Sequence, residues 1–292
     1  MKARFAARYD TAGFTLIELI MVMTIMSIIS VMIAVMVTHQ MDGYVGLSRR
    51  AALVASGNAL LSHLEDDIRN ALPNSVRISG ATLEMIPIQQ TLRYREANSS
   101  AANSDSLDFS IADNRFQVLG SVASLPSGAR LVIYNSSITT AGYNAYGGAA
   151  TSGTYPAVGA NVITPAATTL TVTTDASGDF ITLSTGHQFS FASPQKRVYV
   201  VSSALSYRCD TSTGSIVRYR NYALQNSQPT TVAQFTALNA TGAKIAGNVT
   251  ACSFTFQPGS SQQTGLVTMK FKLENAGEKL EILHQIHVDN SN

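Results

Sequence analysis

Residues 14–37 are 24 consecutive positions whose only ionisable side chain is Glu18, and that run limits what the chain can become. Wound as an α-helix it is about 36 Å long, enough to cross a hydrocarbon layer of roughly 30 Å. Lys2, Arg4 and Arg8 precede it, whereas Arg49 and Arg50 start twelve positions past its end. The excess of cations on the N-terminal side places that side in the cytoplasm. A secretory signal fits poorly: the run is too long, no small-residue cleavage site follows Val37, and a carboxylate sits near its start. A plain anchor explains length and orientation but not Glu18, because a carboxylate at mid-bilayer costs about 3 kcal/mol.

Gly13, Phe14, Thr15, Leu16, Ile17, Glu18 and Leu19 resemble the signature of bacterial prepilins, the precursors of type IV pilins and of type II secretion pseudopilins. The resemblance implies cleavage of a 1–13 leader after Gly13 by a membrane prepilin peptidase, followed by N-methylation of Phe14. The apolar segment then survives processing. Glu18 becomes the fifth residue of the mature chain, and the resemblance implies that it pairs with the cationic terminus at Phe14 of a neighbouring subunit, setting axial register. Implied partners are the peptidase, other major and minor pilins, an inner-membrane assembly platform, and membrane lipid before assembly. The implied location is a single pass through the inner membrane with the domain in the periplasm, then a pilus or pseudopilus.

A narrower resemblance rests on Val198 with Tyr199, Val200 and Val201, on Tyr207, Arg208, Cys209 and Asp210, on Arg218 with Tyr219, on segments 49–51 and 71–77, and on the 284–290 ending. These are similar to the O-type minor pilins of the mannose-sensitive haemagglutinin (MSHA) pilus, a group related to the J-type minor pseudopilins of secretion-filament tips. A minor subunit that helps to initiate or build an MSHA-like pilus is what this implies. The alternatives are a type II secretion minor pseudopilin and, from a different class, a filament-tip adhesin.

Charge and cysteine content agree with export. Charged residues are only 13% of the 292, and the leader's three cations against Asp10 account for the whole formal charge of +2. The remainder is balanced, so no basic field exists to neutralise nucleic-acid phosphates, and no nucleic-acid partner is expected. Cys209 and Cys252 are the chain's two cysteines, as expected for one disulfide made in an oxidising compartment. In the chain-entropy model such a bridge stabilises by roughly 4 kcal/mol.

Beyond the membrane run, Leu53, Gly57, Leu60, Leu64, Ile68 and Leu72 recur at three- and four-residue spacing, so segment 38–72 continues the helix as an amphipathic one. Pro73 forbids further helix, and Gly43 with Gly46 marks the weakest stretch. Short β-type runs follow at 75–78, 82–88, 107–111, 130–134, 168–173, 179–183 and 197–202, then at 215–220 and 252–256, with a hairpin joining 265–273 to 279–288. Segment 135–165 is rich in glycine and reads as an exposed loop insertion. The expected fold is α+β and pilin-like: a long N-terminal helix packed on an antiparallel sheet domain spanning 73–292.

No catalytic motif, metal or cofactor is expected. There is no Gly-x-Ser-x-Gly, P-loop or His-Glu-x-x-His pattern. His284 and His287, three apart on a strand, point to opposite faces, and His187 alone completes nothing. Asp105, Asp108 and Asp113 lack the spacing of a calcium loop. Arg93, Tyr94 and Arg95, like Arg218, Tyr219 and Arg220, alternate charge with aromatic as a single-strand stacking surface would, but read equally well as ordinary strands. Tyr143, Tyr146 and Tyr155 are the residues with which an adhesin would stack on sugar rings.

Overall fold

A computed structural model describes residues 13–96, 106–258 and 265–288. The leader residues Lys2, Arg4, Arg8 and Asp10, as well as Asp105 and the 289–290 ending, lie outside the described residues. In chain order the elements are helix α1 (Leu16–Arg69), then β1 (Arg77–Ser79), β2 (Thr82–Met85), β3 (Gln90–Tyr94), β4 (Asp113–Leu119) and β5 (Arg130–Val132). They continue with β6 (Leu170–Asp175), β7 (Gly178–His187), β8 (Arg197–Val201), β9 (Ala204–Asp210) and β10 (Ser215–Tyr222). The last are helix α2 (Val232–Ala237), β11 (Thr241–Gly247), β12 (Val249–Gln257), β13 (Gly265–Asn275) and β14 (Glu278–Val288). Contacts divide the chain into two compact units, Met1–Ala52 and Leu53–Asn292.

In the first unit α1 is unbroken through Gly43 and Gly46. Each glycine costs about 1 kcal/mol of helix propensity, yet propagation from a helix already formed on both sides carries the backbone across. The helix ends at Arg69, three residues before the expected 72. The Asn70 amide caps the Asp66 carbonyl at 2.8 Å, and the Leu72 N–H goes to the Ile86 carbonyl at 2.7 Å, so strand-like pairing captures the chain before Pro73 acts.

In the second unit the α1 stripe of Leu53, Gly57, Leu60, Leu64 and Ile68 is buried. It shares one core with Leu83, Tyr207, Val267 and Phe271 from two antiparallel sheets, one ordered β1-β2-β9-β10-β11 and the other β12-β13-β14. Each leucine in that stripe contributes about 2 kcal/mol by leaving water. Gly57 is needed for close approach: a Cβ there would lie 2.6 Å from Ile282 Cδ1 on β14. Cys209 of β9 is bonded to Cys252 of β12, joining the two sheets covalently across this core. The β13–β14 hairpin has the expected turn, with Ala276 at φ 47° and Gly277 at φ 92°, the twist that a two-residue hairpin loop requires.

A third antiparallel sheet, ordered β5-β8-β3-β4-β7-β6, has its own core of Tyr94, Phe116, Leu131, Ile181 and Val198. Its β4 replaces the strand expected at 107–111. There the Asp108 carboxylate accepts bonds from the Ser110 N–H (2.7 Å) and hydroxyl (2.6 Å), folding the segment into a turn and delaying the strand to Asp113. Segment 135–165 forms no named strand, but the expected exposure is wrong for much of it. Asn135, Asn144, Ala145, Tyr146, Val162 and Ile163 are buried. Side chains take over from ladder bonds: Asn135 donates to the Pro73 carbonyl (2.7 Å) and accepts from the Ala145 N–H (2.9 Å), and the Tyr146 hydroxyl donates to the Ser75 carbonyl (2.9 Å).

Four buried tyrosines make this unit sensitive to alkali, among them Tyr146, pushed well above the ordinary tyrosine range by burial and by the nearby Glu84 carboxylate. Burial pushes Tyr94 up to about 12. Burial, reinforced by the neighbouring carboxylates Asp67 and Glu84 respectively, pushes Tyr207 and Tyr222 well above the ordinary tyrosine range. A raised folded value means the stabilisation is complete below the unfolded pKa of about 10 and is lost as pH rises beyond it, by about 1.4 kcal/mol per pH unit for each phenol. Urea midpoints measured from pH 8 to 11.5 should therefore be flat to about 10 and then fall steeply, less so in Tyr222→Phe.

Candidate assembly site

The chain enters α1 through Gly13, Phe14 and Thr15. Thr15 caps the helix: its carbonyl accepts the N–H groups of Glu18 (3.1 Å) and Leu19 (3.2 Å). Its hydroxyl oxygen accepts the Glu18 N–H at 3.4 Å and donates to Glu18 Oε2 at 3.5 Å. Thr15 and Glu18 are thus spaced as in a capping box, which puts the carboxylate in the first turn, where the helix dipole favours negative charge. This Thr-x-x-Glu pattern ahead of an apolar run is plain in the sequence, where Thr15 otherwise figures only as one residue of the prepilin-like signature. Among the described residues Thr15 is the one side chain bonded to Glu18, and no cation reaches it.

The rest of the segment is apolar surface with nothing on it. Positions 13–45 are all exposed, Phe14 at 80%. The helix is long and apolar enough to cross a membrane. Its few hydroxyls are bonded to the backbone one turn back, Thr24 to Met21 (2.9 Å), Ser27 to Met23 (2.6 Å) and Ser30 to Met26 (2.7 Å), so none presents an unsatisfied donor to lipid or to a packed helix. Apolar area on this scale is stable only when lipid or other apolar helices cover it. Glu18 is then the single group in the segment that gains strongly from a cation on whatever covers it.

The other residues weighed from the sequence take structural places. Cys209 and Cys252 belong to the sheet core of the second unit. His284 pairs with Met269 and faces inward, whereas His287 pairs with Leu266 on the exposed face of β14. His187 is buried at the end of β7, its Nε2 3.0 Å from the Asn161 carbonyl, and burial lowers its pKa. Neither Arg-Tyr-Arg segment offers a stacking face. Tyr94 is fully buried with its hydroxyl bonded to the Ser193 N–H at 2.9 Å, and Tyr219 stacks on Phe235 at 4.0 Å inside the core. Of the three loop tyrosines, Tyr146 is buried beneath the Arg77 guanidinium, 3.7 Å from its ring, and Tyr143 packs on Phe191. Tyr155 alone is open, 70% exposed at the rim of a cleft of about 420 Å³ shared with Phe109, Gln188 and Phe189.

Comparison with known proteins agrees with the N-terminal geometry. Residues 8–34 match the model of the prokaryotic N-terminal methylation motif. No curated protein and no solved structure matches the chain. The motif and the long apolar helix together support a type IV pilin-like or pseudopilin subunit, handled by a prepilin peptidase and assembled with other pilins.

Proposed function

We propose that this chain is a minor pilin: it is cut after Gly13, methylated at Phe14, held in the inner membrane by residues 14–37 and then drawn into an MSHA-like type IV pilus, which it helps to initiate. Its work is structural, not catalytic. The observation that carries the reading is the coincidence, within one segment, of the methylation motif at residues 8–34, a wholly uncovered apolar helix and a lone carboxylate at Glu18. Glu18 pairs with the terminal amine of a neighbouring subunit's mature chain, and the apolar surface around it packs against the helices of other subunits. A type II secretion pseudopilin uses the same N-terminal chemistry, and the MSHA assignment rests on the residue resemblances in segments 49–51 and 71–77 and in the C-terminal half.

Bulk supports a minor place, because the Leu53–Asn292 unit, with three sheets, crowds a densely repeated filament more than a compact subunit does. Quantitative mass spectrometry of sheared, purified filaments should find this chain at least tenfold below the principal subunit. Equal stoichiometry would remove the minor-subunit assignment. A second reading, a tip adhesin, is favoured by one observation, the open Tyr155 ring beside its cleft. If it is right, Tyr155→Ala loses binding on a glycan array that the native chain binds.

A further inference from the structure

A second, smaller cleft, of about 200 Å³, opens beside the C-terminal end of α1 and is lined by Asp67, Gln89, Ser203, Arg218, Arg220 and Asn221. Its charges do not cancel. Asp67 is fully engaged: Arg218 donates to its two oxygens at 2.6 and 2.7 Å, and the Tyr207 hydroxyl donates to one of them. That bidentate pair neutralises Arg218 and fixes it. Arg220 adds a second guanidinium that is exposed and meets no carboxylate among the described residues.

The backbone presents it outward. β10 leaves its register with β9 between Tyr219 and Tyr222, and Asn221 sits in the left-handed region at φ 62°. The resulting bulge redirects the strand and puts both Arg220 and Asn221 on the cleft wall. Gln89, Ser203 and Asn221 contribute further polar side chains that have no partner among the described residues.

We infer that this cleft is a binding site for a carboxylate, held by the Arg220 guanidinium and hydrogen-bonded by the polar side chains around it. One surplus positive charge in a small polar hollow matches a singly charged planar acid, which a guanidinium grips through two parallel N–H bonds. The volume admits one acidic side chain of another polypeptide or a small free organic acid. A phosphate dianion or a nucleic-acid backbone would bring more negative charge than the site offsets.

The test uses the full-length chain in detergent micelles with ¹⁵N-labelled arginine, titrated separately with acetate, with the α-amide of N-acetylglutamate and with inorganic phosphate. Both carboxylates should produce a saturable shift of the Arg220 Nε–H resonance, leaving exposed Arg93 unmoved. In calorimetry Arg220→Gln should weaken the glutamate amide about tenfold, while its thermal unfolding stays that of the native chain. Tighter binding of the amide than of acetate assigns the site to a polypeptide side chain, and equal binding to free acids. The inference is overturned if no saturable shift appears, if Arg220→Gln binds as before, or if phosphate shifts Arg220 as strongly as the carboxylates do.

Discussion

Glu18→Ala is expected to leave cleavage after Gly13 and membrane insertion unchanged while lowering recovery of the chain in sheared filaments by more than tenfold. The carboxylate has two jobs in the proposed account, and they differ in size. Within its own chain it meets the Thr15 hydroxyl at the helix start, an arrangement of the kind worth about 1 kcal/mol. Between subunits it neutralises a terminal amine in surroundings without water, where removing one partner of a buried pair costs about 3–5 kcal/mol because the other charge is stranded. Thr15→Ala separates the two, since it removes the cap and keeps the carboxylate. Normal incorporation of Thr15→Ala alongside loss of Glu18→Ala is the predicted pattern. Equal loss in both would reduce Glu18 to a capping residue.

Arg77→Ala should destabilise the globular unit by about 3–5 kcal/mol, measured as a fall in urea midpoint with little change in slope. Arg77 meets the fully buried Glu84 at 2.6 Å, donates to the carbonyls of Gln225 and Asn226 at 2.7 Å each, and lies over the Tyr146 ring. Burial already raises the Glu84 pKa, against the pull of Arg77. Without the guanidinium the Tyr222 hydroxyl, at 2.8 Å, is the charged group's remaining side-chain donor among the described residues. The Arg77→Ala/Glu84→Gln double variant should recover part of the loss, because the stranded charge is gone. The raised Glu84 value also fixes the sign with pH: its contribution is complete below the ordinary glutamate range and declines as pH climbs through the folded value. In Arg77→Ala the folded value rises further, so the variant's deficit should be smaller near pH 4 than at pH 8.

How much of this was legible in the residues depended on how local the deciding chemistry was. The membrane run, the carboxylate at Glu18 and the buried stripe from Leu53 to Ile68 are patterns within one helix, and the β13–β14 hairpin announces itself through Asn275, Ala276 and Gly277. Strands β4, β9 and β11 carry no such mark: β9 sits between β2 and β10, and its burial on both faces erases the alternation that signals a strand. Segment 135–165 looked like loose surface because its burial is maintained by side-chain amides such as Asn135 rather than by apolar periodicity. The pairing of Asp67 on α1 with Arg218 on β10 joins residues far apart in the chain, and one sequence offers no signal for it, whereas Arg77 and Glu84 face each other directly across the short β1–β2 hairpin.

The most direct test of the central claim is the mass of the N-terminal peptide from the protein recovered from filaments. The account predicts a chain that begins at Phe14 and carries one additional methyl group on its terminal amine. A terminus anywhere else, or an unprocessed Met1, would contradict it.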